Sequence, residues 1–333
     1  VDSLLAEHAR SARNDTAAIV DVDESDGELA LIMDYVEGGT LSELLGSAAQ
    51  QKAALPADVV IRIALDACAG LEAVHSLGDE LGRPLRLVHR DVSPQNILVG
   101  TDGVARLSDL GVAKSLEASR GTQSGVLKGK LGYMAPEYVE AHVIDARADI
   151  FAMAVVIWEA LTMTRLFRAS NDAETLHRML SYEPPPLATF RADIPSQLDD
   201  LLRAGLSKHP GGRPSSTARF GAELERVARP AGLVASHAAV AGVVKHLLGK
   251  KLDGRRNTLR EKMGLPALPV GEITQDDGDA PTFVQALDAF AGGSTDGTTA
   301  PRVDAQRSSI PGDEPDPPPR AAPPEAASTL PLP

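Results

Sequence analysis

Cysteine is nearly absent: Cys68 is the only one in 333 residues. An intrachain disulfide is therefore excluded, as is a zinc site built on several thiolates. A reducing, cytoplasmic compartment fits, and Cys68, set in an apolar helical stretch, reads as an inert core residue. Aromatic residues make up 3% of the chain, with one Trp and four Tyr, so a core has to be built from Ala, Leu and Val. Long apolar runs are missing as well. The longest, residues 150–158, is about half of the roughly 18 residues that a membrane span requires. Residues 232–249 are apolar but interrupted by Ser236, His237, Lys245 and His246, and no membrane span is expected there. The first residues show no basic stretch ahead of an apolar block and do not read as a signal peptide. A basic surplus is also lacking. Thirty-three Lys and Arg face 46 Asp and Glu, a net charge of −13, which excludes a global basic footprint for nucleic acid. No internal repeat is visible.

What is present falls into three parts. A short start carries two apolar runs, residues 18–22 and 28–33, with Asp26-Gly27 as a turn signal between them, a hairpin pattern. An Ala-rich stretch at residues 1–13 reads as helical. Glu37-Gly38-Gly39 then breaks the chain. A mostly helical body follows. A helix begins over residues 41–45, and over residues 57–77 Val60, Ile63, Ala64, Ala67, Leu71 and Val74 recur at helical spacing with Gly78 beyond the end. Residues 85–88, 97–99 and 104–107 read as short strands. Residues 148–161 are apolar nearly all round, the mark of a helix buried on every side. Residues 198–206 and 216–228 read as peripheral helices, and residues 237–263 as one or two more. From residue 265 the composition changes. Thirteen of the 24 prolines lie there, with eleven acidic against three basic residues, and such a segment buries too little apolar surface to offset its chain entropy. The pattern is α+β, with strands and helices in succession rather than alternation.

The hairpin over residues 97–107 has a chemical consequence. Its turn contains Asp102-Gly103, so the strands run antiparallel. Asn96 precedes the first strand and Asp109 follows the second, which places both at one end. Asp91 lies five residues before Asn96, within reach of a folded loop. Two carboxylates and an amide are hard oxygen ligands of the kind that hold Mg²⁺ with substrate phosphates. Taken singly, each of these residues reads more readily as a turn or loop residue than as a ligand.

The surrounding runs carry a resemblance. His89-Arg90-Asp91-Val92-Ser93-Pro94-Gln95-Asn96 resembles the catalytic loop of protein kinases, Ser108-Asp109-Leu110-Gly111 the metal-binding element with Leu in place of Phe, and Ala135-Pro136-Glu137 is the family's A-P-E. Leu31 to Gly39 resembles the hinge that holds adenine, residues 145–161 the buried central helix of the large lobe, and His209 to Ser215 the late arginine motif. The chain is thus identified, over about residues 4–230, as resembling the catalytic domain of a bacterial Ser/Thr protein kinase of the eukaryotic-like type. The fold so implied is protein-kinase-like α+β, a partial small β lobe followed by a mainly helical large lobe. Three regions are expected: a kinase domain over residues 1–230, a helical extension over 231–264 and a disordered acidic tail over 265–333.

The same resemblance implies roles. Asp91 orients the acceptor hydroxyl and takes its proton. Asn96 and Asp109 hold Mg²⁺. Met33 lies behind adenine, Asp34 and Val36 offer backbone hydrogen bonds, and Leu98 packs under the ring. Ser93 stands where many of these kinases carry a Lys that contacts the transferred phosphate. Arg90 meets a phosphate on residues 112–134, with Thr122 and Ser124 as candidate phosphosites. Glu137 and Arg213 form a buried structural ion pair. Asp149 hydrogen-bonds the catalytic loop, caps its helix, or does both. Glu7 is the candidate for the helix glutamate, with a surface role equally open. ATP and Mg²⁺ are the implied cofactors, and a protein Ser or Thr the implied acceptor, since the Ala-rich run of tyrosine-specific kinases after Asp91 is absent. The tail's partner is unassigned.

The sequence departs from the family most in its first elements. It holds no G-x-G-x-x-G loop and no V-A-I-K strand, the elements that cover and grip the phosphates. Two accounts fit: a reading frame that starts upstream, or a kinase remnant that keeps the large lobe as an interaction scaffold.

Overall fold

The computed structural model of the chain describes residues 19–25, 28–79, 81–109, 130–140 and 143–263. All of them belong to one unit, residues 1–287; a second, 288–333, lies outside the described residues. So do the expected helix over residues 1–13, Glu7, Thr122, Ser124 and the tail.

The expected hairpin is present. Strands β1 (Ile19–Ser25) and β2 (Glu28–Met33) pair antiparallel, Ser25 opposite Glu28, with a register shift between Ile19 and Asp21. A second sheet has the order β3-β4-β5: β3 is Gly38–Thr40, β4 Ile97–Gly100 and β5 Ala105–Leu107, all antiparallel. Here the sequence reading needs correction. Gly38 and Gly39 do not break the chain; they form β3. Glycine is needed because a Cβ on Gly38 would lie 2.1 Å from the carbonyl oxygen of Val99, closer than any side chain allows.

Helix α1 (Leu41–Gln50) starts on a capping box. Thr40 Oγ1 accepts from the Glu43 backbone N–H and the Glu43 carboxylate accepts from the Thr40 N–H, both at 3.1 Å, which satisfies two orphan donors of the first turn. Helix α2 (Ala57–His75) buries the periodic face read from the sequence and ends two residues before the expected limit. Helix α3 (Arg147–Thr162) is the centre of the body. Every residue from Ala148 to Thr162 is buried, and each large side chain so placed adds about 1.5–3 kcal/mol of apolar burial. Helix α4 (Asp172–Ser181), capped by Asn171, was not anticipated; only two of its residues are buried, so its apolar signal is weak. Helices α5 (Ser196–Gly205), α6 (Thr217–Ala228) and α7 (His237–Lys262) complete the body. The last is one continuous helix of 26 residues, capped by Ser236.

Residues 85–88 do not form a strand. Pro84 makes a single bridge to Gly78, and Arg86 takes a left-handed φ of 50°, which an extended ladder does not tolerate. The backbone donors that follow go to a side chain instead, as described below.

Helix α7 belongs to the same body. Val240, Val243, Val244, Leu248 and Leu252 join the common core. Its charged face reaches the residues around β3. Arg255 bonds the Gly38 carbonyl at 3.1 Å and Glu43 at 2.7 Å, Lys251 also meets Glu43, and Arg256 meets Glu37. The two glutamates are held below the usual carboxylate range, Glu37 chiefly by its hydrogen bond to Arg256 and Glu43 by its Lys251, Thr40 and Arg255 partners against the opposing effect of burial. At the other end, Gly103, with φ 79°, lets the β4–β5 turn approach the carbonyl of His237 so closely that an added Cβ would stand 1.8 Å away.

Candidate active site

The β4–β5 hairpin positions the first two site residues. Ile97 pairs with Leu107, and the ladder continues as the Ser108 N–H donates to the Asn96 carbonyl at 2.9 Å. Asn96 and Asp109 therefore meet at one end, as the turn chemistry implies. Ser108 Oγ lies 3.4 Å from the Asn96 carbonyl and 3.3 Å from Asp109 Oδ2.

Asp91 is folded in by the loop. Asn96 Nδ2 donates to the Asp91 carbonyl at 2.7 Å and the Asn96 N–H to the Ser93 carbonyl at 3.0 Å. The amide nitrogen is thus committed, and Oδ1 is the atom left for a cation. Asp109 is exposed, and its φ of 56° matches the left-handed backbone of Arg90 at 64°. Such conformations cost a non-glycine residue about 1–2 kcal/mol, and they concentrate at functional sites.

What holds the loop is Asp149, the third residue of α3. Its Oδ2 accepts from the His89 N–H at 2.8 Å, its Oδ1 from the Arg90 N–H at 2.9 Å, and His75 Nε2 lies 2.7 Å from Oδ2. The carboxylate is 2% exposed. The helix cap is Ala146 instead, so of the two readings of Asp149 only the loop contact holds. His75, missed from the sequence, continues the network: its Nδ1 meets Thr217 Oγ1 at 3.2 Å, and Thr217 donates to Glu72 at 2.7 Å. Its only sequence signal is its place at the end of α2. His89 is fully buried, and burial lowers its pKa against the opposing charges of Asp149 and Asp91.

Ser93 is buried, and its hydroxyl has no hydrogen-bond partner among the described residues. A cation reaches Asp91 from another part of the chain. Lys130 Nζ lies 2.8 Å from Asp91 Oδ2, a contact the sequence reading missed because 39 residues separate the two.

On the hinge side, Leu98 alternates out of the core between buried Ile97 and Val99 and is half-buried. Asp34 is exposed, Val36 half-buried, and Met33 ends β2. Arg90 is exposed; its expected phosphate partners, Thr122 and Ser124, lie outside the described residues. Glu137 and Arg213 form the expected buried pair.

For a metal, the donor set is one amide and one exposed carboxylate beside Asp91. No group of three or more His, Cys, Asp and Glu converges among the described residues. That composition suits Mg²⁺, which retains waters and shares phosphate oxygens rather than taking an all-protein cage. Cys68 takes no part: burial pushes its thiol up to about 12. A groove of about 590 Å³ between α2 and α6, lined by Arg62, Asp66, Glu72, Thr217 and Glu225, touches none of the site residues. Among the described residues no helix is long and apolar enough to cross a membrane.

Comparison with known proteins points the same way. Residues 7–223 match the family model described as protein kinase domain. The chain is 35% identical over 217 residues to Tyrosine-protein kinase MasK of Myxococcus xanthus, covering 65% of this chain and 34% of that protein. It is 31% identical over 203 residues to Serine/threonine-protein kinase PknL of Mycobacterium tuberculosis, covering 61% and 48%. It is 29% identical over 202 residues to Serine/threonine-protein kinase PknB of Mycolicibacterium smegmatis, covering 59% and 30%. The chain thus spans between about a third and a half of the length of these relatives.

Proposed function

The chain belongs to the protein kinase family, and from that premise we infer that it transfers the γ-phosphoryl group of ATP to Ser or Thr hydroxyls of a protein. The observation that carries the reading is the convergence of Asp91, Asn96 and Asp109 at one end of the hairpin, clamped from below by Asp149. A scaffold has no need of that arrangement, with its two left-handed non-glycine residues. In this reading Asp91 orients the acceptor hydroxyl and takes its proton. Asn96 Oδ1 and Asp109 hold Mg²⁺, which when bound neutralises charge on the phosphates. Leu98 supports the adenine ring from β4, Met33 stands behind it, and the backbone at Asp34 and Val36 receives its edge. The oxygen of the acceptor attacks phosphorus as the bond to the β,γ-bridging oxygen breaks, and that oxygen keeps the electron pair and leaves as ADP. Catalysis of this kind is alignment and charge stabilisation.

Two of the relatives above are named Ser/Thr kinases and one a tyrosine kinase, so the acceptor residue is part of the test. ATP binding is measured by calorimetry with and without Mg²⁺, for the chain and for Asp109→Ala. Binding that requires Mg²⁺ and is lost in the variant supports the reading, and acid hydrolysis of a labelled protein product then identifies phosphoserine, phosphothreonine or phosphotyrosine. A chain that folds and binds no nucleotide sinks it.

A further inference from the structure

We propose that Lys130 is a catalytic residue whose ammonium meets the γ-phosphoryl group beside Asp91, supplying the cation that the loop lacks between Asp91 and Asn96. The inference rests on the phosphotransfer reading above and names a further group of that site.

The need is electrostatic. Between Asp91 and Asn96 the loop reads Val92, Ser93, Pro94 and Gln95, without a cation. Ser93 is neutral, 2% exposed and without a partner for its hydroxyl among the described residues. The transferring group spreads negative charge over its equatorial oxygens, and the base beside it is another negative group. A fixed positive charge at that point stabilises the transition state more than it would in water, because the site is partly desolvated.

Lys130 answers that need from outside the loop. Its Nζ lies 2.8 Å from Asp91 Oδ2, with side-chain exposures of 29% for the lysine and 10% for the aspartate. This is not a loose surface pair, because the residues that follow Lys130 are fixed. The Tyr133 N–H donates to the Lys130 carbonyl at 3.0 Å, Leu131 is buried, and the Tyr133 hydroxyl donates to Glu159 of α3 at 2.7 Å. The turn that carries Lys130 is thereby tied to the same central helix whose Asp149 clamps His89 and Arg90. Base and ammonium are held by two arms of one rigid element, the support that a preorganised site requires. An ammonium has three donors. It can keep Asp91 on one and offer another to a phosphoryl oxygen, aligning base and electrophile. The step itself is unchanged: the acceptor oxygen bonds to phosphorus, its proton passes to Asp91, and the bridging oxygen leaves with its electron pair on ADP.

The rival explanation is a structural tether, in which Lys130 merely ties its segment to the loop. The test uses the full 333-residue chain as Lys130→Met, Ser93→Lys and the double variant, each checked for folding by thermal melting. Phosphorylation of myelin basic protein gives kcat and KM for ATP, and calorimetry gives the affinities for Mg·ATP and Mg·ADP. The expected result for Lys130→Met is a loss of about 100-fold in kcat and a rise of about tenfold in KM for ATP, and recovery of most of both in the double variant. In binding, Lys130→Met weakens Mg·ATP about tenfold and leaves Mg·ADP alone. A tether does not predict the rescue or the distinction between the nucleotides. Unchanged kcat, a double variant no better than the single, or equal loss for both nucleotides overturns the proposal. For a chain that binds nucleotide without turnover, the ATP-to-ADP comparison decides alone. An unaltered chain that binds neither nucleotide overturns the phosphotransfer reading, and the role of Lys130 with it.

Discussion

Arg213 and Glu137 meet as a two-armed pair, Nη1 to Oε1 at 2.7 Å and Nη2 to Oε2 at 2.8 Å, with side chains 0% and 1% exposed. The guanidinium also donates to the carbonyls of Arg147, Ser207 and Lys208, and Phe151 of α3 lies beneath it at 5.0 Å. One side chain thus joins the A-P-E segment, the start of α3 and the turn before α6. Removing either partner strands a buried charge. Arg213→Leu is expected to destabilise the fold by about 3–5 kcal/mol. The paired change Glu137→Met with Arg213→Met should recover much of that, because no charge is then left alone. Urea unfolding of the two variants beside the unaltered chain checks this; a double variant as unstable as the single would show that shape, not charge, dominates.

Asp149→Ala is expected to cost about 2–4 kcal/mol, since it leaves the His89 and Arg90 N–H groups buried or half-buried without their acceptor. Asp149→Asn retains one acceptor and should cost less. Both should weaken Mg·ATP affinity, although Asp149 touches no ligand. Calorimetry together with melting curves separates the two effects, and intact affinity in a folded Asp149→Ala would mean that the loop holds its shape unaided.

His89 predicts a pH dependence. Its folded-state pKa lies below the ordinary 6.5, so between those two values the unfolded chain binds a proton that the folded chain refuses. Stability contributed by the neutral ring is therefore complete above pH 6.5 and is lost as pH falls towards the lowered value, by at most about 1.4 kcal/mol per pH unit. His89→Asn should flatten this part of the slope. Urea midpoints at pH 7.5, 6.0 and 5.0 test it, and an unaltered slope would assign the effect to other groups.

Helix α7 lies in the expected extension over residues 231–264, and we propose that it is an integral part of the domain. Val240, Val243, Val244, Leu248 and Leu252 are each at most 3% exposed. Ending the chain after residue 235 should therefore produce an aggregating or molten product. Replacing Arg255 and Arg256 by Ala should cost only about 0.2–1 kcal/mol for each exposed pair. A truncated chain that melts cooperatively at the original temperature would make the extension a separate appendage.

The Cys68 thiol, buried and pushed up to about 12, should stay unreactive toward a thiol reagent at pH 8 until the chain is unfolded. Rapid modification of the native protein would show that α2 opens locally.

Much of this molecule is local in origin and was legible in the amino-acid sequence. Asp102-Gly103 makes a tight turn wherever it sits between two short apolar runs, so the meeting of Asn96 and Asp109 follows from chain geometry alone. The unbroken apolar run around Ile150 can only be a helix enclosed on all sides, and α3 is that helix. The family motifs reinforced both, because their spacing is itself a local property. Residues 85–88 were misread for the opposite reason. Their apolar run promises a strand, but a strand exists only if a neighbour supplies its hydrogen bonds, and here the donors beyond it go to Asp149, sixty residues away in the case of His89. The short amphipathic α4 left too few apolar residues to be seen. Gly38 and Gly39 looked like a chain break because nothing local says that β4 passes close enough to exclude a Cβ. Lys130 beside Asp91, His75 beneath Asp149 and the arginines of α7 on Glu37 and Glu43 are all meetings of side chains far apart in the chain. No periodicity encodes them. They depend on where the packing of α3 against its neighbours sets each backbone, and only the tertiary structure decides that.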